Sequence, residues 1–459
     1  MKKYEEIIKS HKKFFESGKT LDISYRKNAL IKLKEAIENY EDRILYSLKL
    51  DLGKSEFEAY ETELGIVKSE LKNTIKNLEK WSSPQKVRST IINPLSKNRI
   101  YNQPYGVCLI LSPWNYPLQL SIMPLIASIA AGNCTILKLS ELSPFTSSCI
   151  KEMIDNTFEK EYVSVFCGEA EEAVSLIESD VDFIFYTGNP KIGSSVAESA
   201  GRRLIPYVLE LGGKSPCIID KTADLDYTAK KIIWGKFMNA GQTCVAPDYI
   251  IADRLIYLEL VDKLKYYIKK FYGENPIYSK DYPKIINEKN FDRILNLIDN
   301  KKIIFGGEFD KASLKIEPTV LKVDDIDEKI MQEEIFGPIL PIITYKNKNK
   351  IFDIIGKNKN PLALYLFTKD SMFEKEVIEK ISFGGGCIND TIIHCTSEGL
   401  PFGGIGKSGI GNYHGKASFD AFSHKKSVVK SKKIMDISLK YPPFNKSKFK
   451  LIKKVFNIL

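Results

Sequence analysis

From Val107 onward the chain alternates short apolar runs with stretches of helical pattern, and this alternation restricts its fold more than any other feature. Val107–Leu111 reads as a strand, followed by a helix through Ala131, a strand at Thr135–Leu139 and a helix after Pro144. Val163–Phe166 is a further strand, Glu171–Ile177 a helix, and Phe183–Tyr186 a strand leading into Thr187 and Gly188. A helix between successive strands returns the chain to the same end of the sheet, so the strands run parallel and helices cover both faces. A new section opens at Leu209–Leu211 and repeats the alternation from Pro216-Cys217-Ile218-Ile219 to about residue 390. The expected class is therefore α/β, and 459 residues are enough for two or three domains.

The flanks differ. Residues 1 to about 80 carry apolar side chains at helical spacing, through Leu30, Leu33, Ile37 and Leu45 to Leu50. Residues 82–105, with Pro84 and Pro94, read as extended chain or a long hairpin. Near the end, Ser427–Lys430 is a strand, and Tyr441-Pro442-Pro443 precedes a basic and apolar tail, 446–459.

Apolar residues make up 43% of the chain, which excludes global disorder. The net charge of +10 is spread along the chain, with a surplus in the last thirty positions. Without an aromatic-interleaved basic module or zinc spacing, it reads as a lysine-rich solvated surface, with no nucleic-acid partner. Eight cysteines, none in a C-x-x-C pair, sit mostly in apolar runs, and the N-terminus lacks a secretory apolar region. Both point to a reducing, cytoplasmic setting. No apolar run is long enough to cross a bilayer, and the four scattered histidines define no metal site.

Several segments carry chemistry. Asn239-Ala240-Gly241-Gln242-Thr243-Cys244 places a cysteine after small and polar residues, exposed for attack if its surroundings favour the thiolate. Glu210, at an apolar strand end before Gly212-Gly213, is either a desolvated general base or the partner of Lys214 or Lys236. Asn115 in Pro113-Trp114-Asn115-Tyr116-Pro117 either aims its amide at a developing oxyanion or caps the next helix. Gly188-Asn189-Pro190-Lys191-Ile192-Gly193 lies between a strand and a helix, the context of a phosphate-binding turn. Ser194 stands where a P-loop lysine would be, so nucleoside triphosphate hydrolysis is not expected. Lys138 and Glu141, after the neighbouring strand, suit two ribose hydroxyls. Gln332–Pro338 offers Glu334 and Phe336 to a second ribose or stands as a solvated turn, and Leu400–Gly415 is a glycine-dense loop.

In order and spacing these segments resemble the aldehyde dehydrogenase superfamily over residues 5 to 430, and within it the class 3 and fatty aldehyde dehydrogenase branch. The branch is indicated by the short N-terminus, by residues 113–117, by Gly411-Asn412-Tyr413-His414-Gly415 and by Tyr441-Pro442-Pro443. The resemblance implies a Rossmann-like NAD(P)-binding domain (1–81 and 106–209), a catalytic α/β domain (210–419) and a small β oligomerisation element (82–105 and 420–445) that makes a homodimer. It implies Cys244 as nucleophile, Asn115 with the Cys244 N–H as oxyanion hole, and Glu210 as the base that activates water, with Glu334 a second candidate for that role. Lys138, Glu141, Thr187, Gly188, Gly193, Glu334 and Phe336 fall at cofactor positions, for NAD with NADP also open. Tyr116, Trp234, Met238, Thr243, Ile392 and His414 fall where the branch lines its aldehyde pocket.

The expected reaction is oxidation of aliphatic or aromatic aldehydes, medium or long, to carboxylic acids through a thiohemiacetal and a thioester. Transfer of the acyl group to coenzyme A, a semialdehyde substrate, a non-catalytic protein and a cysteine hydrolase pairing Cys244 with His414 are the competing readings. The tail is expected to pack as a helix near the active-site entrance, ahead of lying on a membrane surface.

Overall fold

The computed structural model describes residues 2–90, 96–397, 399–432 and 438–457; Pro94 and positions 458 and 459 of the tail lie outside them. Residues 2–82 are mostly helical. In Ile23–Asn39 the buried residues Leu30, Leu33 and Ile37 recur at the spacing of one helix face, and Asp22 caps the start by accepting the Ser24 N–H at 2.9 Å.

Strands β1 (Gln85–Val87) and β2 (Lys97–Pro104) form the expected antiparallel hairpin. Five parallel strands follow: β3 (Val107–Leu111), β4 (Cys134–Leu139), β5 (Val163–Cys167), β6 (Phe183–Gly188) and β7 (Tyr207–Leu211). Every residue of β3 and β4 is buried, as a sheet covered on both faces requires. The helix Gln119–Ala131 between them is almost wholly apolar, and it is buried from Leu120 onward. It stops at Gly132, whose φ of 95° lets the chain turn.

A second sheet takes β8 (Pro216–Ile219), β9 (Tyr249–Asp253), β10 (Ile303–Phe305), β13 (Thr319–Lys322), β14 (Ile339–Tyr345), β15 (Ala363–Phe367) and β16 (Gly385–Ile388). The short pair β11 (Phe309–Asp310) and β12 (Lys315–Ile316) projects from it. Its order is β10-β13-β14-β9-β8-β15-β16, with only the β10–β13 pairing antiparallel. The chain then returns: β17 (Gly409–Ile410) adds antiparallel to β7, and β18 (Ser423–Lys430) pairs along the whole of β2. The first sheet has the order β17-β7-β6-β3-β4-β5, and the outlying ribbon β1-β2-β18.

Two expectations are corrected. A boundary between residues 209 and 210 would cut β7, which stays in the first sheet through Glu210 and Leu211; the passage to the second sheet falls between Leu211 and Pro216. The tail does form a helix, Lys446–Phe456, but none of its described residues is buried and none lines the central cavity. Five lysines among eleven residues leave only a stripe around Phe449, Ile452 and Phe456, too little apolar surface to hold the helix on the body. Among the described residues no helix is long and apolar enough to cross a membrane.

Asn133 ties the first sheet to the ribbon. Fully buried, it accepts the Gly106 N–H at 3.0 Å and donates to the Phe422 carbonyl, just before β18, at 3.0 Å. Asn133→Ala is expected to lower the thermal midpoint, because each buried group left unpaired costs about 1–3 kcal/mol. An unchanged midpoint in circular-dichroism melting would contradict this attachment.

Candidate active site

In the first sheet β3 lies between β4 and β6, so the chain leaves it on one side through β4 and β5 and on the other through β6 and β7. The carboxyl ends of β3 and β6 then part around a crevice, the place where open α/β sheets bind ligands. Trp114 and Asn115, after β3, and Thr187 and Gly188, at the end of β6, face this crevice. It widens into a cavity of 1190 Å³ that also takes in the Cys244 loop and the Glu334 segment.

Asn115 is buried and donates from Nδ2 to the Gln242 carbonyl at 3.0 Å. It does not cap the following helix. The amides there, of Leu118 and Gln119, donate instead to Glu63 Oε2 at 2.9 and 3.2 Å. A primary amide has two N–H bonds, so one stays available at the cavity wall once Gln242 holds the other.

The Cys244 loop explains its own sequence. Asn239, Ala240 and Gly241 all have positive φ, 52°, 51° and 75°. A Cβ on Gly241 would stand 2.3 Å from the Gly337 carbonyl oxygen. Asn239 Nδ2 bridges the carbonyls of Asn115 (2.8 Å) and Gln242 (3.2 Å), and its N–H donates to Glu58 Oε1 at 2.6 Å. The buried Gln242 side chain donates to the Asn239 and Lys284 carbonyls and accepts from Ile286, each at 3.0 Å. Strained loops of this kind persist only when their surroundings over-determine them.

Cys244 is half-buried on the cavity wall. The surroundings do not supply the condition that a thiolate needs. Burial, and then the charges of Glu334 and Glu210, push the thiol up to about 12. Glu210 is buried at the end of β7, and neither of its oxygens has a hydrogen-bond partner. Desolvation holds its carboxyl well above the usual range. The alternative partners do not reach it: Lys214 bonds Asp248 at 2.5 Å and the Glu333 carbonyl at 2.8 Å, while Lys236, 4.0 Å from Asp248, has no hydrogen-bond partner at its buried Nζ. Glu334 lies over Gly212, where a Cβ would come within 1.9 Å of Oε2; burial, reinforced by Asp248, lifts its carboxyl to about 8. Phe336 meets Trp114 edge to face at 5.5 Å.

The remaining cofactor positions divide. Lys138, near the end of β4, and Glu141, just beyond it, form an ion pair of 3.0 Å and do not line the cavity. Gly193 is not on the cavity either. It sits inside the helix Pro190–Arg203, where a Cβ would come within 2.6 Å of Leu211, and so brings helix and sheet together. The Thr187 hydroxyl is buried without a partner, and Asn189 caps that helix by accepting the Ile192 N–H at 3.0 Å. An orphan hydroxyl at the crevice, a capped helix start and the Gly212-Gly213 cradle beside Glu334 fit a dinucleotide cofactor.

Tyr116, Trp234, Met238, Thr243, Ile392 and His414 all line the cavity. Tyr116 Oη and Thr243 Oγ1 share a hydrogen bond of 2.5 Å. Ile392 has a φ of 52°, a rare conformation for a β-branched residue. His414 stacks on Phe402 at 5.0 Å, and burial lowers it to about 4, so the ring is neutral at pH 7. Among the described residues no histidine nitrogen bonds the Cys244 thiol; His394 instead contacts Cys387 and Cys395 at 3.5 and 3.6 Å. Sequence reasoning missed Cys395 and the N-terminal residues Glu61 and Thr62, which also line the cavity. It missed Lys54, Glu58 and Glu63 behind it as well, since nothing distinguishes them from a solvated charged helix.

A cysteine, an amide donor and a buried carboxyl thus lie around one crevice of an α/β fold. The sequence profile of the aldehyde dehydrogenase family matches residues 1–428. The chain belongs to that family and oxidises aldehydes to carboxylic acids. It is 44% identical over 454 residues to a 4,4'-diaponeurosporen-aldehyde dehydrogenase of Staphylococcus aureus, covering 98% of this chain and 99% of the relative. It is 41% identical to aldehyde dehydrogenase family 3 member H1 of Arabidopsis thaliana (97% and 93% covered). It is 44% identical to family 3 member A2 of Pongo abelii (95% and 90%). A solved structure described as the substrate-bound state of Staphylococcus aureus AldH matches with a TM-score of 0.97 at 44% identity, over 99% of both chains.

For a thiol raised to about 12, the thiolate fraction grows about tenfold per pH unit across neutral and mildly alkaline pH. Iodoacetamide labelling of Cys244, followed by mass spectrometry, is expected to climb from pH 7 to 10 without levelling. Levelling between about pH 9 and 10 would show an ordinary thiol, and levelling near pH 8 a lowered one; either would contradict this reading.

Proposed function

We propose that this chain is an NAD(P)-dependent dehydrogenase of apolar aldehydes in which Cys244 is the nucleophile, Asn115 and the Cys244 N–H hold the oxyanion, and Glu210 activates the hydrolytic water. The observation that carries this reading is the convergence of these three residues on one cavity, with Glu210 buried and unpaired. A bound nicotinamide cofactor supplies the two-electron acceptor. Thr187, Gly188, Glu334 and Phe336 would hold it, and Lys138 and Glu141 would take the hydroxyls of its adenosine ribose. The first sheet with the N-terminal helices forms the cofactor domain, and the second sheet carries the nucleophile.

Attack of the Cys244 sulfur on the carbonyl carbon places negative charge on the carbonyl oxygen. The free N–H of Asn115 receives it, and loss of one such donor typically costs roughly 2.7–4 kcal/mol. The attacking sulfur must first lose its proton, and the two neighbouring carboxyl groups are the bases at hand. After oxidation a thioester remains on Cys244. Glu210 takes a proton from water, and the resulting hydroxide displaces the sulfur and releases the acid. A carboxyl group whose affinity for protons is raised by burial is a stronger base once ionised, which suits this step.

Trp234, Met238 and Ile392 give the aldehyde side an apolar wall, which favours medium or long chains. The relative named for 4,4'-diaponeurosporen-aldehyde, similar along almost the whole chain, supports the same choice. A retained Glu210 favours hydrolysis over transfer to coenzyme A. We also place the enzyme in the cytoplasm as a homodimer. The edge strand β18 and its exposed Val428 and Val429 support the dimer.

Reduction of NAD and of NADP at 340 nm, measured with aliphatic and aromatic aldehydes with and without coenzyme A, tests the assignment. Turnover without coenzyme A that improves from short to long aldehydes is expected. NAD is expected to be preferred, because Glu141 repels a 2′-phosphate. A requirement for coenzyme A would move the reaction to acyl transfer. Glu210→Gln is expected to keep a single-turnover burst of NADH while steady turnover falls at least tenfold, on the scale of lost general-base catalysis. An undiminished steady rate would pass the base role to Glu334.

A further inference from the structure

The segment from Lys54 to Glu63 joins the two loops that carry the oxyanion donors, although it belongs to neither sheet. Lys54 and Glu63 are both fully buried and form an ion pair of 2.6 Å. Lys54 Nζ also donates to the Asn115 carbonyl at 3.4 Å and lies 4.0 Å from the centre of the Tyr116 ring. The second oxygen of Glu63 takes the Leu118 and Gln119 amides, so one carboxylate holds both the lysine and the start of the helix after Asn115. A wide π turn at Tyr60–Leu64 brings Glu63 to the inner side. One helical turn earlier, Glu58 accepts the Asn239 N–H at the head of the strained Cys244 loop. Asn239 in turn donates to the same Asn115 carbonyl.

The Asn115 carbonyl is thus reached from both directions, by Lys54 and by Asn239. Removing two charges from water costs several kcal/mol per ion, and apolar residues usually stabilise a core at least as well. The pair therefore has a use other than stability, and its contacts identify it. We propose that Lys54, Glu58 and Glu63 are positioning residues that hold the Asn115 and Cys244 loops in register, so that the side-chain amide of Asn115 and the backbone N–H of Cys244 converge on one oxygen atom. The assignment rests on Asn115 acting as an oxyanion donor. None of the three touches the aldehyde in this scheme; each acts through Asn115 or Asn239.

A double-mutant cycle tests it. The joint replacement Lys54→Met with Glu63→Gln removes both charges of the pair together. It is made in the natural chain and in an Asn115→Ala background. In the natural chain kcat/KM for the aldehyde is expected to fall roughly 10- to 100-fold through kcat, the scale of displacing a donor by about an ångström. The KM for NAD and the iodoacetamide labelling of Cys244, which need no oxyanion donor, are expected to stay within about twofold. In the Asn115→Ala background the same replacement is expected to cost less than about threefold, since its effect has no donor left to act through.

Equal losses in both backgrounds, or an unchanged kcat/KM, would overturn the proposal. Full activity of Asn115→Ala alone would instead remove the oxyanion reading on which it rests. If the joint variant does not fold, Glu58→Met, which releases only the Asn239 N–H, is read in the same cycle with the same two outcomes.

Discussion

The hydrogen bond from the Asn115 side chain to the Gln242 carbonyl is the contact on which the site depends. One partner follows the first strand of the first sheet, and the other stands two residues before Cys244 in the second half of the chain. The bond orients the Asn115 amide, and it brings a donor and a thiol from opposite halves of the molecule to one wall. Both partners sit in irregular backbone, so neither is held by ladder hydrogen bonds. Their places are set by a closed set of side-chain contacts through Asn239, Gln242 and Glu58.

Around this contact the electrostatics run against ionisation. Glu210 has no partner at either oxygen, Glu334 is lifted to about 8 and the thiol of Cys244 to about 12. One cause, removal from water, accounts for the direction of all three, and the carboxylates add to the effect on the thiol. The surroundings therefore favour the uncharged form of each group, and their nearness lets proton loss from one bear on the others. The lysines close by do not reverse this, because Asp248 holds Lys214 and is the nearest charge to Lys236.

The alternation of apolar runs was enough to read the parallel sheets, since strands buried on both faces leave a continuous apolar signature that spacing alone reveals. Cys244, Asn115 and Glu210 could be singled out because each stands beside residues with a conformational purpose, such as Gly241, Pro113 or Gly212. Gly193 shows the limit of that reasoning. Its glycine was legible, but its use lies in packing against Leu211 and not in facing the crevice. The tail was misread for a related reason, because an amphipathic pattern does not say whether a matching apolar surface exists elsewhere in the fold.

The sequence by itself determined the fold class, the family and the residue types of the chemistry, because these depend on local periodicity and on short motifs whose order is preserved along the chain. Only the tertiary structure decided that Glu210 has no hydrogen-bond partner, that burial raises the Cys244 thiol, and that Lys54, Glu58 and Glu63 stand behind the Asn115 and Cys244 loops. Burial and charge pairing arise between residues far apart in the chain: Glu63 and Leu118 are 55 positions apart, and Glu58 and Asn239 are 181. No local pattern encodes such distances, and the physical properties of an ionisable group follow from what surrounds it in space.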